Sequence, residues 1–142
     1  MIRTVDDTIS VAPQIRPEQV AELAAAGFRT IVNNRPDGED AGQPEGNEIA
    51  EACIPAGVRY YAIPVTHAGF SSNQVEAMAE VLADAGGPVL AFCRSGTRSC
   101  NLWALAQASV GGNPDELTAK AAGAGYDLSG IRPVLDQLSA RA

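Results

Sequence analysis

The chain has 142 residues, nearly half of them apolar, and carries ten lysines and arginines against seventeen carboxylates, a formal net charge of −7. That length predicts one compact domain over residues 1–142, able to bury roughly 70% of its unfolded surface. The acidic balance argues against a nucleic-acid surface, and no apolar run approaches the ~20 residues of a membrane span. Met1-Ile2-Arg3-Thr4-Val5-Asp6-Asp7 has no long apolar signal core, so a cytoplasmic protein is expected.

Thr8-Ile9-Ser10-Val11-Ala12 alternates like a half-buried strand, and Pro17 then stands at a helix start ahead of Val20, Leu23 and Ala24, closed by Gly27. Phe28 to Asn33 predicts the second strand, ending in the turn-rich Asn34-Arg35-Pro36-Asp37-Gly38-Glu39. Asp40 to Asn47 is a polar loop, after which Ile49, Ala52, Cys53 and Ala56 mark a helix stopped by Gly57. Val58 to Ile63 is the third strand, with Pro64 to Phe70 as its exit loop. Ser71 and Gln74 have capping-box spacing, and Val75, Met78, Ala79 and Leu82 follow on one helix face. Pro88 to Phe92 is the next strand. A helix runs through Leu102 to Val110, Asn113-Pro114 caps another, and Ser129 begins the last. Strands alternating with helices predict an α/β fold of three layers, with a mostly parallel sheet of four to five strands flanked by helices. Ligand sites in such sheets lie beyond the carboxyl ends of the strands, where Asn33–Glu39, Thr66–Ser72 and Cys93–Ser99 should gather.

The chemistry concentrates in Cys93-Arg94-Ser95-Gly96-Thr97-Arg98-Ser99, between a strand and a helix. Backbone N–H groups of such a loop curl into an anion-binding nest at the positive end of the helix dipole. Near cations at a helix N-terminus a thiol falls from about 8.5 toward neutrality or below, which predicts a Cys93 thiolate flanked by Arg94 and Arg98. Gly96 lets the backbone turn tightly, and Ser95, Thr97 and Ser99 are candidate substrate contacts beside it. Arg98 stands five residues after Cys93. In the protein tyrosine and dual-specificity phosphatases the essential arginine lies six residues after the cysteine, a position held here by Ser99. The run resembles the C-R-x-G-x-R-S loop of rhodanese-type sulfurtransferases, and Phe92 stands where the phosphatase signature usually has histidine. A shorter ring of amides suits a single sulfur better than a phosphoryl group.

Three cysteines without a secretory signal are expected as reduced thiols. Cys53 is read as core and Cys100 as a thiol packed under the loop, with a resolving role the alternative. Metal-ligand spacing is absent, and no metal or cofactor is expected. Asp37 or Glu39 could face the pocket to orient Arg98 or act as an acid, although Arg35-Pro36-Asp37-Gly38 is also a plain turn. Arg35 would add positive charge near the pocket. His67, the single histidine, occupies the loop where dual-specificity phosphatases carry their general-acid aspartate, and no aspartate occurs between Gly57 and Val81.

From about Ile9 to Leu105 the chain resembles the bacterial beta-lactamase hydrolase-like family, phosphatase-like domain, also known as a family of sulfur transferases. The resemblance rests on Val11-Ala12-Pro13-Gln14-Ile15, Asn33 to Glu39, Tyr61-Ala62-Ile63-Pro64-Val65, and Cys93 to Ser99 followed by Leu102-Trp103. It implies a dual-specificity-phosphatase-like fold, a rhodanese-like loop, and a link to persulfide-oxidising metallo-hydrolases, with a persulfide dioxygenase as the partner that link suggests. The expected activity is transfer of sulfane sulfur through a Cys93 persulfide, with Arg98 assisting. Its substrate would be a small anionic or persulfide donor such as thiosulfate or glutathione persulfide, and its acceptor a thiol. The alternatives are a cysteine phosphatase with a thiophosphate intermediate and Asp37 or His67 as proton donor, and a non-catalytic persulfide or anion sensor.

Overall fold

Val11, Ile31, Val32, Leu90 and Ala91 are fully buried because their strands are covered on both faces. The structure, a computed structural model, describes residues Met1–Ala142. Five strands, β1 (Arg3–Asp6), β2 (Ile9–Ala12), β3 (Thr30–Asn33), β4 (Arg59–Ala62) and β5 (Val89–Phe92), form one sheet in the order β1-β2-β5-β3-β4. Only β1 runs antiparallel to its neighbour. The expected α/β sheet is therefore present, with β1 as an edge strand that the sequence pattern did not predict. Val5 is the one buried residue of β1, too little to show a period. The strand turns into β2 because Asp6 Oδ1 accepts from the Thr8 amide (2.9 Å), the Thr8 hydroxyl (2.6 Å) and the Ile9 amide (3.2 Å).

The register sorts side chains to two cores. Val11 and Val32 both pair with Ala91 and face one core, whereas Ile31 and Leu90 are partners on the other face. The first core is closed by α3 (Ser72–Asp84), α4 (Thr97–Ser109), α5 (Pro114–Gly123) and α6 (Arg132–Arg141). The second is closed by α1 (Val20–Ala25) and α2 (Gly46–Ala56), with Cys53 buried there as expected. Each fully buried Val, Leu or Ile contributes about 1.5–3 kcal/mol, so the sheet is a stiff frame for its rim.

Helix ends follow their capping residues. Gly57 closes α2 in the left-handed region, at φ 70°. Ser71 and Gln74 form the expected capping box on α3, and Gln74 Nε2 also donates to the Pro64 carbonyl at 2.8 Å, pinning the exit loop of β4. Asn113 caps α5 by accepting from the amides of Asp115 and Glu116. The helix after the cysteine loop begins at Thr97, and Leu102 to Ala106 are buried along its whole girth because α3, α5 and α6 enclose it. No helix is long and apolar enough to cross a membrane.

Candidate active site

β5 runs directly into Cys93, whose side chain is fully buried, and the chain turns at Gly96 into α4. Gly96 has φ 91°, a conformation that side chains resist, and it is the N-cap of the helix. Its N–H donates to Cys93 Sγ at 3.1 Å. The sulfur thus lies at the positive end of α4 with a backbone donor aimed at it.

Arg98, in the first turn of α4, is held beside this sulfur by a carboxylate from the far side of the rim. Its Nη1 donates to Glu39 Oε2 and its Nη2 to Glu39 Oε1, at 2.7 and 2.9 Å, a bidentate pair. Nη1 also donates to the Val65 carbonyl at 2.7 Å. Glu39 is the carboxylate that orients the arginine. Hydrogen bonds from Arg98 first, then Arg35, hold its carboxyl at about 2 although burial opposes them. Arg98 is in turn raised, chiefly by Glu39 and further by Cys93.

Three expected site residues have other work. Asp37 Oδ1 accepts from the Gly46 amide at 2.8 Å, so this side chain ties the long loop to the start of α2. Arg35 does not extend into the pocket as free positive charge. It is 5% exposed, and its guanidinium donates to Glu39 (2.9 Å), Gln14 (3.1 Å) and Asp40 (2.7 Å). Ser99 is fully buried, its hydroxyl donating to Asn34 Oδ1 at 2.8 Å, which removes it from substrate contact. The helical turn of α4 points position 99 inward, toward the sheet.

Arg94 is exposed at the mouth, with Nη2 3.8 Å from Asp40 Oδ2. Ser95 and Thr97 are exposed and bonded to each other through their hydroxyls at 3.1 Å. His67 is exposed on the Thr66–Gly69 turn of the β4 exit loop. Cys100 is fully buried behind the loop, its thiol pushed up to about 12 by burial and then by the charge of Cys93, in keeping with a packing role. A cavity of about 450 Å³ opens at the opposite end of the strands near Thr8, Pro88 and Gln107. The residues with nucleophilic and anion-binding chemistry lie at the other rim.

Asn34 is the functional-site residue that sequence reasoning passed over. Its backbone N–H donates to the Phe92 carbonyl (2.8 Å) and its own carbonyl accepts from Val65 N–H (2.9 Å). Its side-chain amide donates to the Ile63 carbonyl (2.9 Å), while Oδ1 accepts from Ser99. One fully buried residue so fastens the ends of β3, β4 and β5 and the start of α4. Its only signal was its place in the Asn33–Glu39 run.

Residues 1–110, which include this loop, its buried cysteine and the clamped arginine, match the family described as beta-lactamase hydrolase-like protein, phosphatase-like domain. The chain belongs to this family. It is 36% identical to the beta-lactamase hydrolase-like protein of Agrobacterium fabrum over 107 residues, which are 75% of this chain and 25% of that protein. The counterpart in Xylella fastidiosa is 31% identical over 125 residues, 87% of this chain and 29% of that one. The chain therefore spans little more than a quarter of the length of these relatives. Among solved structures, a candidate phosphatase from Neisseria meningitidis is 34% identical with a TM-score of 0.81, covering 96% of this chain and 97% of its own. One from Shewanella putrefaciens shares the fold at 22% identity and a TM-score of 0.71, over 99% of this chain and 91% of that chain. Family and fold thus place the chain with phosphatase-like domains. They support the phosphatase alternative over the rhodanese-type sulfurtransferase expected from the loop spacing.

Proposed function

We propose that the protein is a cysteine-dependent phosphohydrolase acting on small phosphate monoesters. The observation that carries this reading is the pairing of Cys93 Sγ, facing the Gly96 N–H, with an Arg98 clamped bidentate by Glu39. The Cys93 thiolate attacks phosphorus, the bond from phosphorus to the leaving oxygen breaks, and a thiophosphate forms on Cys93. Water then attacks that phosphorus, the S–P bond breaks, and inorganic phosphate leaves with the thiolate restored. Arg98 and the loop amides neutralise the equatorial oxygens in both steps. Arg94, exposed at the mouth, draws the dianion in.

The proton supply narrows the substrate. Glu39 is committed to the two arginines as an anion, and Asp37 to the Gly46 amide. Of the rim's candidate proton donors, His67, Asp40 and Asp37 are exposed, and no hydrogen bond joins any of them to Cys93. A leaving group of low basicity needs the least assistance, which favours aryl phosphates over alkyl phosphates.

A second reading is favoured by the five-residue spacing from Cys93 to Arg98. The thiolate would attack the outer sulfur of thiosulfate, the S–S bond would break with sulfite leaving, and the Cys93 persulfide would pass its sulfur to a thiol. Incubation with an aryl phosphate and, separately, with thiosulfate or glutathione persulfide distinguishes the two. The phosphatase reading expects phosphate release and a trapped phosphoryl mass on the Cys93 peptide. A one-sulfur adduct removable by thiol, with no phosphate release, would replace it by sulfur transfer.

A further inference from the structure

Tyr126 follows α5, beyond the residues that match the family, and returns to the loop that carries Cys93. Its O–H donates to the Ser95 carbonyl at 3.1 Å. The next atoms along the chain belong to the Gly96 N–H that donates to Cys93 Sγ, also at 3.1 Å. These two groups are one peptide unit. All peptide bonds are trans, so the C=O and N–H of the Ser95–Gly96 plane point in opposite directions. A hydroxyl that holds the carbonyl on one side holds the N–H on the sulfur at the other.

We propose that Tyr126 is a positioning residue for the nucleophile: by anchoring the Ser95 carbonyl it keeps the Gly96 amide aimed at Cys93 Sγ and so stabilises the thiolate. Rotation of this peptide would instead aim the negative end of the carbonyl at the sulfur, which disfavours the charged form. Ser95 itself is exposed, so the neighbouring side chains do not block that rotation by burial.

The phenol is held in place from both sides. A Cβ built on Gly96 would overlap the Tyr126 hydroxyl and lie 3.1 Å from Cζ, so tyrosine and glycine are mutually fitted. Behind the ring, the Arg3 guanidinium sits 6.0 Å from the centroid and donates to the Ala124 carbonyl at 3.1 Å. The Tyr126 N–H donates to the Ala121 carbonyl at 2.9 Å, fixing the backbone to the end of α5. Burial pushes the phenol above its ordinary value, partly opposed by Arg3, so the O–H remains a donor at neutral pH. The inference rests on Cys93 as the nucleophile of the proposed phosphohydrolase, but its test needs neither a phosphate nor a sulfur substrate.

The test is the pH profile of Cys93 alkylation by iodoacetate, read as mass added to the Cys93 peptide of the full chain. Tyr126→Phe should displace the profile to higher pH by about half a unit or more, roughly threefold less thiolate at a given pH below the midpoint. Two further variants separate donation from bulk. With 4-aminophenylalanine at position 126 a donor returns and the profile should move back toward wild type, whereas 4-methylphenylalanine fills the space without donating and should leave it displaced. Because the methyl analogue keeps the packing, the comparison holds even where Tyr126→Phe fails to fold. Profiles that coincide with wild type, or amino and methyl variants displaced equally, would overturn the proposal. A phosphohydrolase that fails the substrate test above would leave this result unaffected.

Discussion

Replacing Glu39 with glutamine removes one charge from the network that orients Arg98 while keeping the shape of the side chain. The carboxylate binds Arg98 through two hydrogen bonds and Arg35 through a third. Its descent from 4.5 to about 2 corresponds, at about 1.4 kcal/mol per tenfold change in proton affinity, to about 3.5 kcal/mol of stabilisation at neutral pH. The side chain is 18% exposed, so solvent screening removes only a modest part. In the variant the guanidiniums of Arg98 and the buried Arg35 face each other without the intervening anion, although Arg35 keeps Asp40 and Gln14.

At pH 7 the thermal midpoint of Glu39→Gln should fall by on the order of 10 °C for a chain of this size. The sign with pH follows from the lowered folded value. The carboxylate's contribution is present above about 4.5 and is lost as pH falls from there through about 2, so the gap between wild type and variant should close across that window. Urea unfolding followed by the fluorescence of Trp103, the single and fully buried tryptophan, reads the gap at pH 7, 5, 3 and 2. A gap under ~0.5 kcal/mol at pH 7, or one that stays constant down to pH 2, would refute the reasoning. In the same variant Arg98 keeps the Val65 carbonyl but loses its fork, and kcat/KM on an aryl phosphate should drop by about a hundredfold.

Cys93→Ser should abolish turnover and phosphoryl trapping, whereas Cys100→Ser, on a buried and protonated thiol, should keep most activity. Equal loss in both, together with a Cys93–Cys100 disulfide on oxidation, would make Cys100 a resolving thiol. Gly96→Ala places a side chain at φ 91° against the Tyr126 hydroxyl and should cost about 1–3 kcal/mol in urea unfolding. Adding Tyr126→Ala should recover part of that loss, and strictly additive costs would argue against contact between the two positions.

The parts of this fold legible in the sequence are those whose cause is local. The short strand-forming runs Phe28–Asn33 and Pro88–Phe92 between turn residues, the Ser71–Gln74 box, the Asn113 cap and the left-handed Gly57 each depend on residues a few positions apart, and strands at Thr30–Asn33 and Val89–Phe92 and the three helix ends are found there. The strand-loop-helix setting of Cys93 belongs to the same class. β1 escaped because a four-residue edge strand with a single buried side chain has no period to detect. The spacing of Arg98 was legible as well, but the assignment built on it leaned on loop length alone, and the family and fold comparisons favour the phosphatase-like alternative.

What the sequence did not disclose is the division of labour among like residues. Arg35 and Arg98 are both arginines beside turns, and Asp37, Glu39 and Asp40 are carboxylates within four positions. Composition cannot say that Glu39 takes Arg98, Asp40 takes Arg35 and Asp37 takes a helix amide. That choice is made by where β3 ends against β5: the Asn34 N–H bonded to the Phe92 carbonyl sets how the following loop leaves the sheet. Asn34 and Ser99 meet across 65 positions, Arg98 and Glu39 across 59, and Tyr126 and Ser95 across 31. Contacts at such separations have no signature in helical or strand periodicity, since each partner satisfies its own local rule whether or not the other is there. They exist only once the frame is built. The residues that shape the surroundings of Cys93 are therefore those a single sequence hides best, and if Cys93 is the nucleophile proposed above, substitution at Glu39, Asn34 or Tyr126 should disturb its chemistry more than their ordinary appearance in the chain suggests.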